Sequence, residues 1–372
     1  MKIAFLGPAY PFRGGIAQFI ELLAKQFDKE HQVKIFTFHK QYPKLIFPGK
    51  EQQDRTGKTP NIEIEPVLTP YNPITWPSAI KKIKKWQPDL LIFKYWIPFF
   101  APAFGYIVRR LKCKTVCLID NIEFHEKWLF AEKFTRYALG NCDLLFTMSA
   151  AVWQDAKCIF PQKQIVEAFH PPYDCYNQQK YTKQTAKQKL ELTDKRVILF
   201  FGYIKLYKGL DLLIAAFSKL KKQLPNLHLL IVGEVYGDDQ VYFDMLRDFD
   251  VAADTTFINR FVSDVEVELY FKAADVLALP YKQATQSGVL HIAYDMGLGA
   301  VSTPQGGLPE LIEDGKTGLV AKETTAQAIS TALASYLELD LEKISANCIA
   351  KSKESSWSKL AELIIKKVQA ET

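Results

Sequence analysis

The chain has 372 residues, enough for two domains that each bury a core. With 48% hydrophobic and 24% charged residues it is ordinary globular material, which excludes a disordered or fibrous chain. The formal charge of +6 is a mild basic excess without a basic tail, so no nucleic-acid partner is expected. The cysteines at 113, 117, 142, 158, 175 and 348 are scattered, and no second pair or histidine pair stands at zinc spacing. They are expected to be reduced thiols of a cytoplasmic protein, with no metal site.

Strands and helices alternate along the chain. The opening run, Met1 to Gly7, is too short for a secretion signal and stops at Gly7-Pro8, so it predicts a buried strand over 2–6. Further strands are predicted at 32–37, 62–66, 90–93, 115–118, 144–147 and 164–168. Helices are predicted at 16–27, 78–85, 124–139 and 150–160. The run from Leu90 to Val108 imitates a membrane span. Lys94, Pro98, Pro102 and Gly105 interrupt it, so a strand, a loop and a short helix fit better. The helix near 78–86 carries Lys81, Lys82, Lys84, Lys85 and Trp86. A solvated face accounts for them, and so does an anionic membrane surface.

His170-Pro171-Pro172-Tyr173 breaks the alternation, and the polar stretch 178–194 reads as the connection. Domains are therefore expected at 1–177 and 195–350, with a final helix in 351–372. The second half restarts with a strand over 197–201, followed by strands at 227–233, 256–259, 276–279 and 300–303. Asp238-Asp239 stands before a helix over 240–249, and an N-cap is a better reading than a metal pair.

Three strand-to-helix turns carry the chemistry. After strand 197–201 come Gly202, Lys205, Lys208 and Gly209, and a lysine beside a glycine at a strand's carboxyl end can reach a diphosphate. After strand 276–279 comes Ala284-Thr285-Gln286-Ser287-Gly288, small and hydroxylated residues whose N–H groups can face a phosphate. After strand 300–303 comes Gln305-Gly306-Gly307-Leu308-Pro309-Glu310. Such turns in series describe the ligand-facing edge of a doubly wound sheet.

These residues resemble a known family. Gly202 through Lys208-Gly209-Leu210-Asp211 is similar to the strand-to-helix turn of the GT-B retaining glycosyltransferases of group 1, related to glycogen synthase. Gly306-Gly307-Leu308-Pro309-Glu310, Asp314-Gly315 and Thr317-Gly318 resemble the same family, as does the N-terminal strand followed by Gly14-Gly15. The likeness runs over essentially the whole chain.

The resemblance implies an α/β fold of two Rossmann-like domains facing a cleft, with the last helix crossing back to the first domain. It implies transfer of a sugar, with retention, from a nucleotide diphosphate sugar to a glycan or lipid-linked acceptor, in cell-envelope polysaccharide synthesis. No cofactor or metal beyond that donor is expected. It implies a cytoplasmic protein, and docking of the first domain on a membrane face. Lys208, Lys205, Asp120 and His125 are the expected catalytic residues. Gly14, Gly15, Gly202, Thr285, Gln286, Ser287, Gly288 and Glu234 are expected to hold the donor. Asp120 and His125 could bind sugar hydroxyls or accept the acceptor's proton, and helix capping by Asp120 or Asn121 accounts for the same stretch.

The chain departs from the family at two carboxylates. The Glu-x7-Glu positions fall on Ala284 and Ile292, which puts the sugar and ribose contacts in doubt. The usual arginine is Tyr203, and Lys205 can supply the lost charge. A nucleotide-sugar 2-epimerase and a non-catalytic nucleotide-sugar binder are the alternatives.

Overall fold

The computed structural model describes residues 1–43, 52–53, 60–122, 130–284 and 287–370. The chain divides into two compact units, Met1–His170 with Trp357–Thr372, and Pro171–Ser356.

Unit 1 holds β1 (Lys2–Leu6), β2 (Gln32–Phe38), β3 (Glu63–Leu68), β4 (Leu90–Tyr95), β5 (Lys114–Ile119), β6 (Leu144–Thr147) and β7 (Ile165–Glu167). They form one parallel sheet in the order β3-β2-β1-β4-β5-β6-β7. The strands are apolar on both faces because helices cover both. Ile3, Phe5, Leu90 and Ile92 pack toward helices Gly15–Phe27 and Trp357–Ala370. Ala4, Leu6, Leu91 and Phe93 pack toward helices Trp76–Trp86, Ala101–Val108, Ala131–Leu139 and Ala150–Ile159. The last helix therefore belongs to unit 1, where Leu360, Ile364 and Val368 present one apolar stripe.

Unit 2 holds β8 (Arg196–Phe201), β9 (Leu227–Val232), β10 (Thr255–Ile258), β11 (Val276–Leu279), β12 (Ala300–Ser302) and β13 (Gly318–Val320), all parallel, in the order β10-β9-β8-β11-β12-β13. In each unit the strand order reverses beside the first strand, at β1/β4 and at β8/β11. A ligand crevice opens at such a switch point, outside the strands' carboxyl ends.

The strand β13 and helices Lys183–Lys189, Asp264–Ala273, Ala326–Leu337 and Leu341–Glu354 were not predicted. β13 has only three residues, and its Gly318 is needed because a Cβ there would collide with the Ala300 carbonyl oxygen. The predicted helix over 124–139 is described only as Ala131–Leu139, and its beginning lies outside the described residues.

The predicted connection over 178–194 is corrected. The division falls earlier, between His170 and Pro171. Residues 178–194 are part of unit 2 and carry a helix that is polar because only Ala186 of it is buried. Its lysines, Lys183 and Lys187, pair with Asp275 at 2.6 and 2.7 Å. Just before it, the buried Glu268 carboxylate accepts the N–H groups of Gln178, Lys180 and Tyr181 at 3.1, 2.8 and 3.2 Å.

Removing that acceptor leaves three backbone donors without their carboxylate. Glu268→Ala is therefore expected to cost about 2–4 kcal/mol. The urea midpoint of unit 2 tests this, and a midpoint equal to that of the wild type would show that Glu268 is not what fastens the segment.

Candidate active site

Two of the turns singled out in the sequence meet at the β8/β11 switch point. β8 leads through Gly202 to a single turn of 3-10 helix, Leu206–Lys208, and then Gly209. β11 leads through Pro280 and Tyr281 to Ser287, where helix Gly288–Asp295 begins. Gly209 adopts the left-handed conformation (φ 70°, ψ 27°), and a Cβ there would collide with the Pro280 carbonyl oxygen. The Lys282 N–H donates to the Tyr207 carbonyl at 2.7 Å, and the Lys282 ammonium meets Asp211 at 2.6 Å. One turn is thereby fixed against the other.

The Lys208 ammonium lies 3.7 Å from the centroid of the buried Tyr281 ring. A cation over an aromatic face is held by the ring quadrupole, worth about 0.5–2 kcal/mol. The Tyr281 hydroxyl in turn lies 3.4 Å from the Ser287 hydroxyl. Among the described residues no carboxylate pairs with Lys208. Burial disfavours its charge, but Tyr281 and Tyr207 outweigh that and raise its pKa above the ordinary lysine value. Lys208 is thus a cation at neutral pH. The Ser287 side chain does not cap helix Gly288–Asp295, and the Leu290 N–H donates to the Ser287 carbonyl at 3.1 Å, which leaves the first two N–H groups facing the turn. An ammonium and a helix N-terminus joined through one tyrosine are the groups that an anion site would require.

The other expected donor residues are placed less uniformly. Gly202 has φ 110° and gives backbone contact to Gly233, whose Cβ would meet the Gly202 carbonyl oxygen. Lys205 precedes the 3-10 turn, with its ammonium 5.8 Å from the Tyr236 ring. Tyr236 packs at 4.8 Å on Tyr203, the residue that replaces the family's arginine. Glu234, expected to face the nucleotide, is enclosed at 4% exposure. Ala284 is described; Thr285, Gln286 and His125 lie outside the described residues. Ile292 is buried in its helix, so this chain offers no carboxylate at that position.

Gly14, Gly15 and Asp120 belong to unit 1, at the carboxyl edge beside β1/β4. Gly14, with φ 108°, precedes helix Gly15–Phe27. Asp120 follows β5, and its carboxylate pairs with Lys94 of β4 at 2.9 Å. The helix start expected to be capped by Asp120 or Asn121 lies outside the described residues. Lys94 is only 1% exposed, and burial lowers its pKa against the opposing pull of Asp120. Asp238 does serve its helix: its carboxylate accepts the Gln240 N–H at 3.0 Å. Among the described residues, no three His, Cys, Asp or Glu side chains converge as metal ligands would.

Sequence reasoning missed Tyr281 and Lys94. A tyrosine two residues beyond an apolar strand carries no motif of its own. A single lysine inside an apolar strand is a signal, and it served only to argue against a membrane span.

Comparison with known proteins decides the family. The model of "Glycosyl transferases group 1" matches residues 182–355, and that of "Glycosyltransferase Family 4" matches residues 13–175. The chain belongs to the group 1 glycosyltransferases. It is 24% identical over 346 residues to a GDP-mannose-dependent alpha-(1-6)-phosphatidylinositol monomannoside mannosyltransferase of Mycolicibacterium smegmatis, covering 88% of this chain and 86% of that one. It is 22% identical to spore coat protein SA of Bacillus subtilis, covering 86% and 85%. Among solved structures, sucrose-phosphate synthase from Thermosynechococcus elongatus matches with TM-score 0.79 and 16% identity over the whole of both chains. Anabaena HepE in complex with UDP-glucose matches with TM-score 0.76 and 17% identity, also over both whole chains. The fold of this glycosyltransferase is GT-B.

Lys208→Ala is expected to fold normally and lose turnover by about 2–4 kcal/mol, the worth of a charge-assisted phosphate contact in the transition state. A Cβ on Gly288 would lie 3.3 Å from the Tyr173 ring, so the bulkier Gly288→Val is expected to abolish nucleoside diphosphate binding. Ser287→Ala is expected to weaken it modestly, because the backbone donors survive. Turnover with a nucleotide sugar checks the first, and titration calorimetry with nucleoside diphosphates checks the other two. Wild-type affinity in Gly288→Val would place the phosphate site elsewhere.

Proposed function

We propose that this glycosyltransferase moves a sugar, with retention, from a nucleotide diphosphate sugar to a glycan or lipid-linked acceptor of the cell envelope. The carrying observation is Lys208: a cation with no carboxylate partner among the described residues, seated on Tyr281 beside a helix N-terminus that Ser287 does not cap. As the sugar's C1–oxygen bond breaks, the electron pair stays with the diphosphate. The Lys208 charge and the N–H groups after Ser287 stabilise that charge, with Lys205 adding to the field. The acceptor hydroxyl oxygen forms the new bond to C1 on the face the diphosphate leaves, and its proton passes to the departing diphosphate oxygen. Asp120, at the unit 1 edge, receives a hydroxyl of the sugar or acceptor. The UDP-glucose bound by HepE and the lipid acceptor named for the mycobacterial relative support this reading.

The same reading requires no metal, because lysine and helix dipole supply the positive charge. Incubation with a panel of nucleotide sugars, with and without a lipid acceptor, should release nucleoside diphosphate and should persist in EDTA. Release abolished by EDTA and restored by magnesium would overturn the metal-free mechanism. An altered sugar without transfer would point to an epimerase.

For a lipid-linked acceptor the partner is an anionic membrane face. Helices Trp76–Trp86, Ala101–Val108 and Ala131–Leu139 share one side of the unit 1 sheet. Phe130, Phe134 and Tyr137 are exposed at helical spacing, with Arg109 4.0 Å from the Tyr137 ring and Lys133 5.3 Å from that of Phe130. Lys81, Lys84 and Lys85 are exposed on the first helix, and Ile74 just before it is 86% exposed. Aromatics set among cations suit an anionic lipid interface. The protein should sediment with phosphatidylglycerol-containing vesicles and not with pure phosphatidylcholine, and F134S/Y137S should reduce the bound fraction severalfold. Equal sedimentation with both vesicles would refute the docking.

A further inference from the structure

The buried Lys94 has no place in the reaction as described, yet it is an ammonium held at 1% exposure. Withdrawing an ammonium from water costs several kcal/mol even after relaxation, and an apolar residue of similar volume often serves stability as well or better. Lys94 stands in β4, the strand beside β1 at the switch point. Its ammonium meets two partners. One is the Asp120 carboxylate at 2.9 Å, at the end of β5. The other is the face of Phe19, whose ring centroid lies 3.2 Å away.

Phe19 lies one turn into helix Gly15–Phe27, directly behind the Gly14-Gly15 turn. Its ring is also wedged edge-on against His170 at 5.1 Å and Trp357 at 4.9 Å. His170 is the last residue before the chain leaves unit 1, and Trp357 is the first after it returns. One ammonium thus touches both pieces of the unit 1 edge, the carboxylate after β5 and the helix behind the glycine turn. The ring on which it sits anchors both ends of the chain's excursion.

We propose that Lys94 is a positioning residue of the transferase: through Asp120 and Phe19 it holds the hydroxyl-receiving carboxylate in register with the Gly14-Gly15 turn. This rests on the reading of Asp120 given above. The ion pair fixes which way the carboxylate faces, and the aromatic contact fixes where the ammonium sits. A reacting group displaced by about 1 Å can lose about a hundredfold in rate.

The test compares Lys94→Met, which keeps length and removes the donor, with Lys94→Gln, which keeps a donor toward Asp120. For both, thermal unfolding, kcat, acceptor KM and titration with UDP and GDP are measured, after transfer by the wild type has been established with the nucleotide-sugar panel. Positioning predicts that Lys94→Met loses about ten- to a hundredfold in kcat/KM for the acceptor. Lys94→Gln should lose severalfold less, and nucleoside diphosphate affinity should stay that of the wild type in both. Wild-type turnover in folded Lys94→Met overturns the proposal. So does a loss in both variants that follows only their loss of folded protein. A wild type that transfers no sugar overturns the transferase reading instead.

Discussion

The carboxyl edge of unit 2 depends on a close approach of two backbones. Gly209, at the end of the β8 turn, comes so near the Pro280 carbonyl that no side chain fits. That contact closes the β8 turn on the β11 turn. With it come the Tyr207–Lys282 hydrogen bond and the Lys282–Asp211 ion pair. Only then does Lys208 lie over Tyr281, and Tyr281 reach Ser287. A lysine that the sequence places on a surface turn comes to lie over a buried aromatic ring because the glycine after it has no Cβ.

The site answers the question that the missing carboxylates raise. Ala284 and Ile292 offer no acceptor for sugar or ribose hydroxyls. What remains is charge and backbone: an ammonium, a helix N-terminus and a serine hydroxyl. In the proposed function these recognise a diphosphate rather than a particular sugar. The aromatic pair Tyr203 and Tyr236 flanks the same edge, where the family pattern has an arginine in place of Tyr203.

Unit 1 shows a different use of charge. Its buried Lys94 ammonium is matched by a carboxylate and an aromatic face, so its cost is offset locally. The geometry converges on Phe19, a residue with no chemistry of its own. In unit 2 a buried carboxylate, Glu268, performs the comparable task of fastening the start of the unit through three backbone donors.

The sequence by itself determined the parallel sheets and the turns that meet at the β8/β11 switch point. Strands buried on both faces leave continuous apolar runs, and Lys208-Gly209 and Ser287-Gly288 stand directly after two of them. It could not place short elements whose residues are mostly solvent-facing, such as helix Lys183–Lys189, because a polar helix and a polar connection have the same composition. Gly318 reads as a turn residue and is a strand residue, since the steric demand comes from Ala300 on the neighbouring strand. Asp120 reads as a cap or an acid until β4 brings Lys94 beside it. Tyr281 has no motif, and only the approach of Lys208 from a turn more than seventy positions earlier gives it a role. What tertiary structure decided was which charges meet and which aromatic faces they meet on. Those contacts join residues distant in the chain, and no local pattern records them.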